Sequence, residues 1–336
     1  VDGKICDTSE IELGNKMKLK VLILGEPTRT MQPGLDTGVL IASEMLRRGH
    51  LVDYIDSERV DWRKENKLYF ASLPFQRITK VTPNQPEPFE LELPRKDNVL
   101  DYHVVWQRLD PPVDGRYKSH MDHFSKLPSR ILQINNPEWN WKLSEHLLPQ
   151  NYPGFAIPTW ECGSLSEFVK CIRANTKESV VKPLHLYSGL GIEFFNTQTP
   201  ESELMKYWEK WKPKVAVQPY IQEITTQGDL RILVMNKKVV GSVLRKPKSG
   251  SKLANLHQGG SAHFFEPTEK QLQACEVISN DLFEKGLYLL GIDFIGDFLT
   301  EVNITCPSAL PQINQVMKIE GEKMIIDEME ALVRSR

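Results

Sequence analysis

Apolar residues fall into two recurrent patterns along the first third of the chain. Residues 18–25 form an almost unbroken apolar run that ends at Gly25-Glu26-Pro27. After a turn-rich stretch, Asp36-Thr37 opens a segment with apolar side chains at Val39, Leu40, Ala42, Met45 and Leu46, closed by Arg47-Arg48-Gly49. That spacing predicts a helix with one apolar face, and residues 51–55 then read as a second strand. Continuous apolar runs, unlike alternating ones, mark strands covered on both faces, so strand–helix–strand order here predicts a parallel sheet between helices. Residues 104–107 and 131–135 supply further strands, while residues 58–100 mix strand candidates with prolines and give no assignment. From Glu138 the pattern changes. Helices are expected over 138–147, 164–174, 202–211, 269–285 and 318–334. Strands are expected over 155–160, 179–183, 192–195, 215–220, 229–236 and 239–245, the last two joined at Lys237-Lys238.

One stretch carries an unusual mixture. Residues 291–304 read as two strands of β-branched and aromatic residues joined through a Gly-Asp turn. Glu301 and Asn303 share one face of the second strand, and Val302 and Ile304 share the other. With a three-residue loop at 296–298, Asp293 falls opposite Glu301, and Ile292 and Phe294 join the apolar face. A two-residue loop would turn Asp293 the wrong way. Two carboxylates and an amide oxygen suit Mg²⁺, which completes its shell with phosphates and water. The plainer alternative is the polar outer face of an edge hairpin.

Other candidates are weaker alone. Lys182 ends a strand, and the turn Ser188-Gly189-Leu190-Gly191 that follows could bring backbone N–H groups to phosphates or be an ordinary hairpin. Arg108, before Asp110-Pro111-Pro112-Val113-Asp114, could grip a substrate carboxylate or pair with Asp110 or Asp114. Arg231 and Arg245 are placed to share a face of their hairpin. Residues 246–260 are long enough to be a functional lid.

The chain has 336 residues and a net charge of −2, which suggests two or three domains and excludes binding to nucleic acid or membrane surfaces by bulk charge. No apolar run reaches the roughly 20 residues of a membrane span. Five cysteines at no metal-ligand spacing suggest reduced thiols and a cytoplasmic protein. Residues 1–16 are polar, lack a signal-peptide core, and are expected to be a disordered leader or a tag.

The segments Val181-Lys182-Pro183-Leu184, Gln218-Pro219-Tyr220-Ile221, Gly228-Asp229-Leu230-Arg231, Asn255-Leu256 with Gly259-Gly260, and Gly291-Ile292-Asp293 with Thr300-Glu301-Val302-Asn303 stand in the order found in bacterial glutathione synthetases. Arg108-Leu109-Asp110-Pro111-Pro112-Val113-Asp114 also resembles that family's signature. The resemblance implies an ATP-grasp fold in the α/β and α+β class. Its parts would be a Rossmann-like α/β domain over 17–136, a central lid subdomain over 137–213, and a C-terminal subdomain with the metal site over 214–336. It implies ATP as co-substrate and Mg²⁺ or Mn²⁺ on Asp293, Glu301 and Asn303. Nucleotide contacts would come from Lys142, Lys182, Ser188, Gly189, Gly191, Asn255 and the linker Gln218, Pro219, Tyr220 and Ile221. Catalytic roles fall on Arg245, Arg231 and Asp229, and substrate contacts on Arg108, Asp110, Arg231, Gly259 and Gly260. The implied reaction joins γ-glutamylcysteine to glycine through an acyl phosphate, in a homo-oligomer (dimer or tetramer) that handles small molecules only.

The sequence departs from that family in three places, one of them Cys306-Pro307-Ser308 after Asn303, where the family tends to Ser-Pro-Thr. The lid lacks its usual arginines, with Leu253 and Ser261 in their place, and the phosphate loop holds His185, Tyr187 and Leu190 instead of further glycines. Two competing expectations follow: the same chemistry on another carboxylate and amine, or an ATP-binding regulatory module without turnover. Retention of Asp293, Glu301 and Asn303 together disfavours the second.

Overall fold

A computed structural model describes residues 17–61, 73–186, 189–248, 251–252, 254 and 260–336. Strand β1 (Lys20–Gly25) lies between β2 (Leu51–Asp56) and β5 (Val104–Arg108), and β6 (Leu132–Ile134) follows β5, all parallel. Strands β3 (Gln76–Val81) and β4 (Phe89–Leu91) extend the far edge antiparallel, giving the order β4-β3-β2-β1-β5-β6. The apolar runs are explained by two separate cores. Val21, Ile23, Val104 and Trp106 enter one, while Leu22, Leu24 and Val105 enter another on the opposite face.

The first of those cores is shared. Helices α1 (Thr37–Arg47), α7 (Leu310–Met317) and α8 (Gly321–Arg334) pack between the parallel sheet and an antiparallel sheet of order β13-β12-β11-β14-β15. That second sheet comprises β11 (Asp229–Met235), β12 (Lys238–Lys246), β13 (Ser261–His263), β14 (Leu289–Ile295) and β15 (Phe298–Asn303). Its outer face buries Ile232, Val234, Ile292, Phe294 and Val302 against α6 (Glu269–Phe283), which opens with a Thr268–Gln271 capping box. Two polar groups fasten the layers. Arg48 reaches from the end of α1 to Asp327, Glu330 and the Lys323 carbonyl of α8 while also holding Glu44. Asn135, buried after β6, donates to the carbonyls of Leu289 and Ile304 and accepts from the N–H groups of Tyr288 and Leu289, so its amide is fully satisfied.

A smaller sheet, β7 (Trp160–Cys162), β10 (Val215–Pro219), β8 (Ser179–Pro183) and β9 (Glu193–Phe195), is covered by α4 (Leu165–Ala174) and α5 (Glu201–Trp211). It takes in β10, beyond the expected end of the central unit at 213. Several elements differ from the pattern-based expectation. The strand over 155–160 is replaced by a single bridge from Ala156 to Leu299, because Pro158 interrupts it and β7 begins only at Trp160. The helix expected over 138–147 is shorter, α3 (Pro137–Lys142). The β11–β12 turn falls on Asn236-Lys237, both with positive φ. Helices α2 (Gly115–Phe124) and α7 and strand β13 are additional.

Candidate active site

The inner face of the antiparallel sheet changes character along its length. Under the helix layer it presents Leu233, Met235, Val243 and Leu289. Where that layer ends, the same face presents Asp229, Arg231, Arg245, Asp293, Glu301 and Asn303, which form one wall of a cleft of about 730 Å³. The parallel sheet's carboxyl edge and the small sheet supply the other walls.

The hairpin of β14 and β15 reaches the expected pairing by an unexpected route. Ile295 pairs with Phe298, so the loop is the two residues Gly296 and Asp297, not three. A bulge at Thr300 then inserts one residue, and Asp293 faces Glu301 after all. The bulge corrects what a two-residue turn would otherwise invert.

Asp293 does not stand alone. Its Oδ1 accepts from Arg231 Nε at 2.7 Å and its Oδ2 from Arg231 Nη2 at 2.5 Å, and Arg245 Nη2 lies 2.9 Å from Oδ2. Burial alone would raise its pKa, but the two guanidinium groups outweigh burial and hold it at about 2. Asp229 takes a bond from Arg245 at 2.5 Å, yet burial first and the nearby Asp293 charge push it up to about 6. Asn303 Nδ2 donates to the Gly291 carbonyl and to Asp293 Oδ2, so neither bond engages its amide oxygen. Glu301 keeps a carboxylate toward the cleft, with His146 Nδ1 3.3 Å away.

Two neighbours were not singled out from the sequence. Glu145 is buried, and its Oε1 accepts from the N–H groups of Ile304 and Thr305 and from the Thr305 hydroxyl. Burial, then the adjacent Glu301, raise its pKa to about 7. His146 Nε2 lies 3.3 Å from the Leu186 carbonyl, and its Nδ1 is buried without a hydrogen-bond partner. Burial lowers its pKa against the opposing pull of Glu301. An acid and an imidazole after Lys142, followed by Leu147-Leu148, could have hinted at an inward turn.

The structure brings most of the expected residues together. Lys182, Gly189, Gln218, Pro219, Tyr220 and Ile221 all line the cleft. Gly189 and Gly191 both have positive φ, and a Cβ on Gly191 would come within 2.8 Å of Pro183, so glycine is required there. Lys252 reaches from the loop after β12 to Glu178, passing over the rings of Phe194 and Tyr220. Arg108 and Asp110 line the cleft as well. Arg108 Nη1 donates to the Pro307 carbonyl at 2.8 Å, its buried Nε has no partner, and Asp114 caps α2 without pairing with it.

Lys142 is the main correction. It is half-exposed at the end of α3, paired with Glu138 at 2.5 Å, and does not line the cleft. Its position one helical turn after Glu138 directs it along the helix surface to that carboxylate. Gly191 and Gly260 also lie outside the lining, Gly260 against the backbone of Ala254 and Lys246. Ser188, Asn255 and Gly259 fall outside the described residues, as does Leu253.

Comparison with known proteins gives the same picture. Residues 19–139 match the family model of the prokaryotic glutathione synthetase N-terminal domain, and residues 145–318 match that of its ATP-grasp domain. A glutathione synthetase of Mesorhizobium japonicum is 27% identical over 303 residues, covering 89% of this chain and 94% of the relative. One from Rhodopseudomonas palustris is 25% identical over 319 residues, covering 94% and 99%. Among solved structures, D-cycloserine synthetase superposes with a TM-score of 0.64 at 14% identity over 93% of this chain and 99% of that one. D-alanyl-alanine synthetase A from Vibrio cholerae gives 0.53 at 12% identity, over 94% and 99%. The family models, with these likenesses of fold, show an ATP-grasp fold with an N-terminal domain. With both domain models matched in order across most of its length, this chain belongs to the prokaryotic glutathione synthetase family.

Proposed function

We propose that this protein is an ATP-dependent carboxylate–amine ligase that joins γ-glutamylcysteine to glycine. The observation that carries the reading is the polar half of the antiparallel sheet's inner face. There Arg231 and Arg245 bracket Asp293 beside Glu301 and Asn303, in the same cleft that Lys182 and Gly189 line.

A carboxylate acylates poorly because its leaving group would be oxide. One carboxylate oxygen of the dipeptide attacks the γ-phosphorus of ATP, the bond to the β-phosphate oxygen breaks, and ADP leaves. The glycine amine then adds to the acyl phosphate carbon, loses a proton, and expels inorganic phosphate as the amide forms. Such steps need positioning and neutralisation of growing negative charge more than covalent help. Lys182 brings one positive charge to the phosphate side. Arg245, held by Asp229 and Asp293, brings a fixed second one from the sheet. Because both guanidinium groups are anchored before substrate binds, little reorganisation is required as charge develops. Arg108, with its buried Nε unpaired, supplies a fork for a substrate carboxylate in the same cleft.

The donor set fits a divalent cation. Glu301 and the Asn303 amide oxygen would hold it, and Asp293 would join them by sharing the oxygen now given to Arg245. Bound there, Mg²⁺ would neutralise phosphate charge. Among the described residues no three His, Cys, Asp or Glu side chains form a self-sufficient metal cage, so nucleotide phosphates and water would complete the shell.

A second reading, the same chemistry with another acceptor, is favoured by one observation. Ser261, standing where the family usually has an arginine, is exposed and 2.8 Å from His263, with no positive charge to offer a glycine carboxylate. Measuring ADP release against a matrix of dipeptide donors and amine acceptors separates the two. Release that needs both γ-glutamylcysteine and glycine supports the first, and release with neither overturns both.

A further inference from the structure

We infer that Cys162 and Cys171 form a thiol–disulfide couple, closed by small-molecule disulfides such as glutathione disulfide and reopened by thiols. The assignment concerns the small sheet and stands apart from the reading of the cleft, which neither cysteine lines.

The two sulfurs meet between β7, which Cys162 ends, and the last turn of α4, which carries Cys171. They lie 3.5 Å apart in hydrogen-bond contact, and among the described residues they are the one pair of cysteines so placed. A disulfide bond is about 2.05 Å long, so closure asks the sulfurs to approach by about 1.5 Å. The surroundings can give that much. Strand β7 is short and lies at the edge of its sheet, paired with β10 on one side only. Helix α4 ends at Ala174, and helix ends fray.

The two positions differ in a way that sets the order of attack. Cys171 is half-buried and open to a reagent, whereas Cys162 is fully buried. Burial, then the Cys171 thiol, pushes the Cys162 thiol well above its ordinary range, so it keeps its proton at neutral pH. Cys171 is therefore the attacking sulfur. Its thiolate displaces one thiolate from the small disulfide, which leaves a mixed disulfide on Cys171. The Cys162 sulfur then bonds to Cys171 Sγ, its proton passes to the departing sulfur, and a second thiol leaves. Two protein thiols are oxidised and one small disulfide is reduced to two thiols. The new bond ties α4 to the strand that pairs with Val215, Ala216 and Val217 of β10. Gln218, next on β10, lines the cleft and donates to Thr159 just before β7. Oxidation thus stiffens the element beside Gln218 and adds no group to the cleft.

The test uses reduced full-length protein in buffers of graded glutathione disulfide to glutathione ratio, quenched with acid, alkylated and digested with trypsin. Cleavage after Lys142, Lys170 and Arg173 puts the two cysteines on separate peptides, residues 143–170 and 171–173. In wild-type protein the two should appear linked, lighter than the reduced pair by two hydrogens, and should separate again with dithiothreitol. Cys162→Ser should instead hold glutathione on Cys171, Cys171→Ser should leave Cys162 free, and Cys275→Ser should behave as wild type. Amide exchange in α4 should slow by about a hundredfold on oxidation, the loop-closure effect of a short ring. Both peptides free at every ratio, a mixed disulfide on Cys171 that never resolves, or linkage that appears only after unfolding in urea overturns the couple. Glutathione on Cys162 in preference to Cys171 overturns the order of attack. Should a serine variant fail to fold, the wild-type peptide map alone decides among these results.

Discussion

Asp293 and Glu301 are neighbours on one face, yet neutralising them should have very unequal effects on stability. Asp293 is 2% exposed and is the shared counterion of two buried guanidinium groups, at 2.5 to 2.9 Å. In Asp293→Asn, Arg231 and Arg245 keep only Asp229, whose raised pKa makes it the weaker partner. Breaking a buried pair in this way costs about 3–5 kcal/mol, because the remaining charge is left uncompensated. Glu301 is partly exposed, stands 3.3 Å from His146 Nδ1, and lies beside Glu145. Glu301→Gln removes one unfavourable approach and one screened charge, so it should cost under about 1 kcal/mol. Both variants should lose ATP turnover by orders of magnitude. Unfolding in urea, followed by circular dichroism, is the right assay, since a guanidinium salt would screen the pairs in question. With a slope of about 2–3 kcal/mol per molar, the midpoint should fall by about 1–2 M for Asp293→Asn and hardly move for Glu301→Gln. Equal midpoints for the two variants would refute the assignment of Asp293 as a structural counterion.

Lys182→Ala should weaken ATP binding by about 1–3 kcal/mol, the scale of a charge-assisted hydrogen bond, and Lys142→Ala by less, because Lys142 is engaged with Glu138; calorimetry giving the reverse order would return Lys142 to the cleft. Glu145 holds its proton up to about pH 7 when folded, against an ordinary value of 4.5, so stability should fall as pH rises between those values. Glu145→Gln, which keeps an acceptor oxygen for Ile304 and Thr305, should flatten that slope in urea midpoints taken at pH 5 and pH 8, and an unchanged slope would count against it. Introducing arginines as Leu253→Arg with Ser261→Arg should raise glycine-dependent ADP release if the missing charges limit acceptor binding. Wild-type saturation at low glycine with no gain in the double variant would show the drift to be neutral.

The parallel strands were legible because Val21 to Leu24 are apolar at every position, which only a sheet covered on both faces demands. The polar wall of Asp293, Glu301 and Asn303 was legible for the converse reason, polar residues at period two opposite Val302 and Ile304. The bulge at Thr300 was not, since one inserted residue leaves no mark on composition. Helix α2 was overlooked although Tyr117, Met121 and Phe124 fall on one face, because His120 and charged neighbours dilute the signal. Helix α7 starts from Ala309 in a left-handed conformation with no polar cap, so the usual start signal is missing. Glu145 and His146 acquire their roles through β15 and the Leu186 carbonyl, contacts that local periodicity does not encode. Lys142 failed for a related reason: a motif names a residue, and a neighbouring Glu138 decides where it points.

Acyl phosphate formation is tested most directly by following carboxylate oxygen. γ-Glutamylcysteine labelled with ¹⁸O in its cysteinyl carboxylate should, with ATP, a divalent cation and glycine, transfer one labelled oxygen to inorganic phosphate per peptide bond formed. Product accumulating with unlabelled phosphate, or ATP hydrolysis giving only water-derived oxygen and no product, would contradict the ligase account.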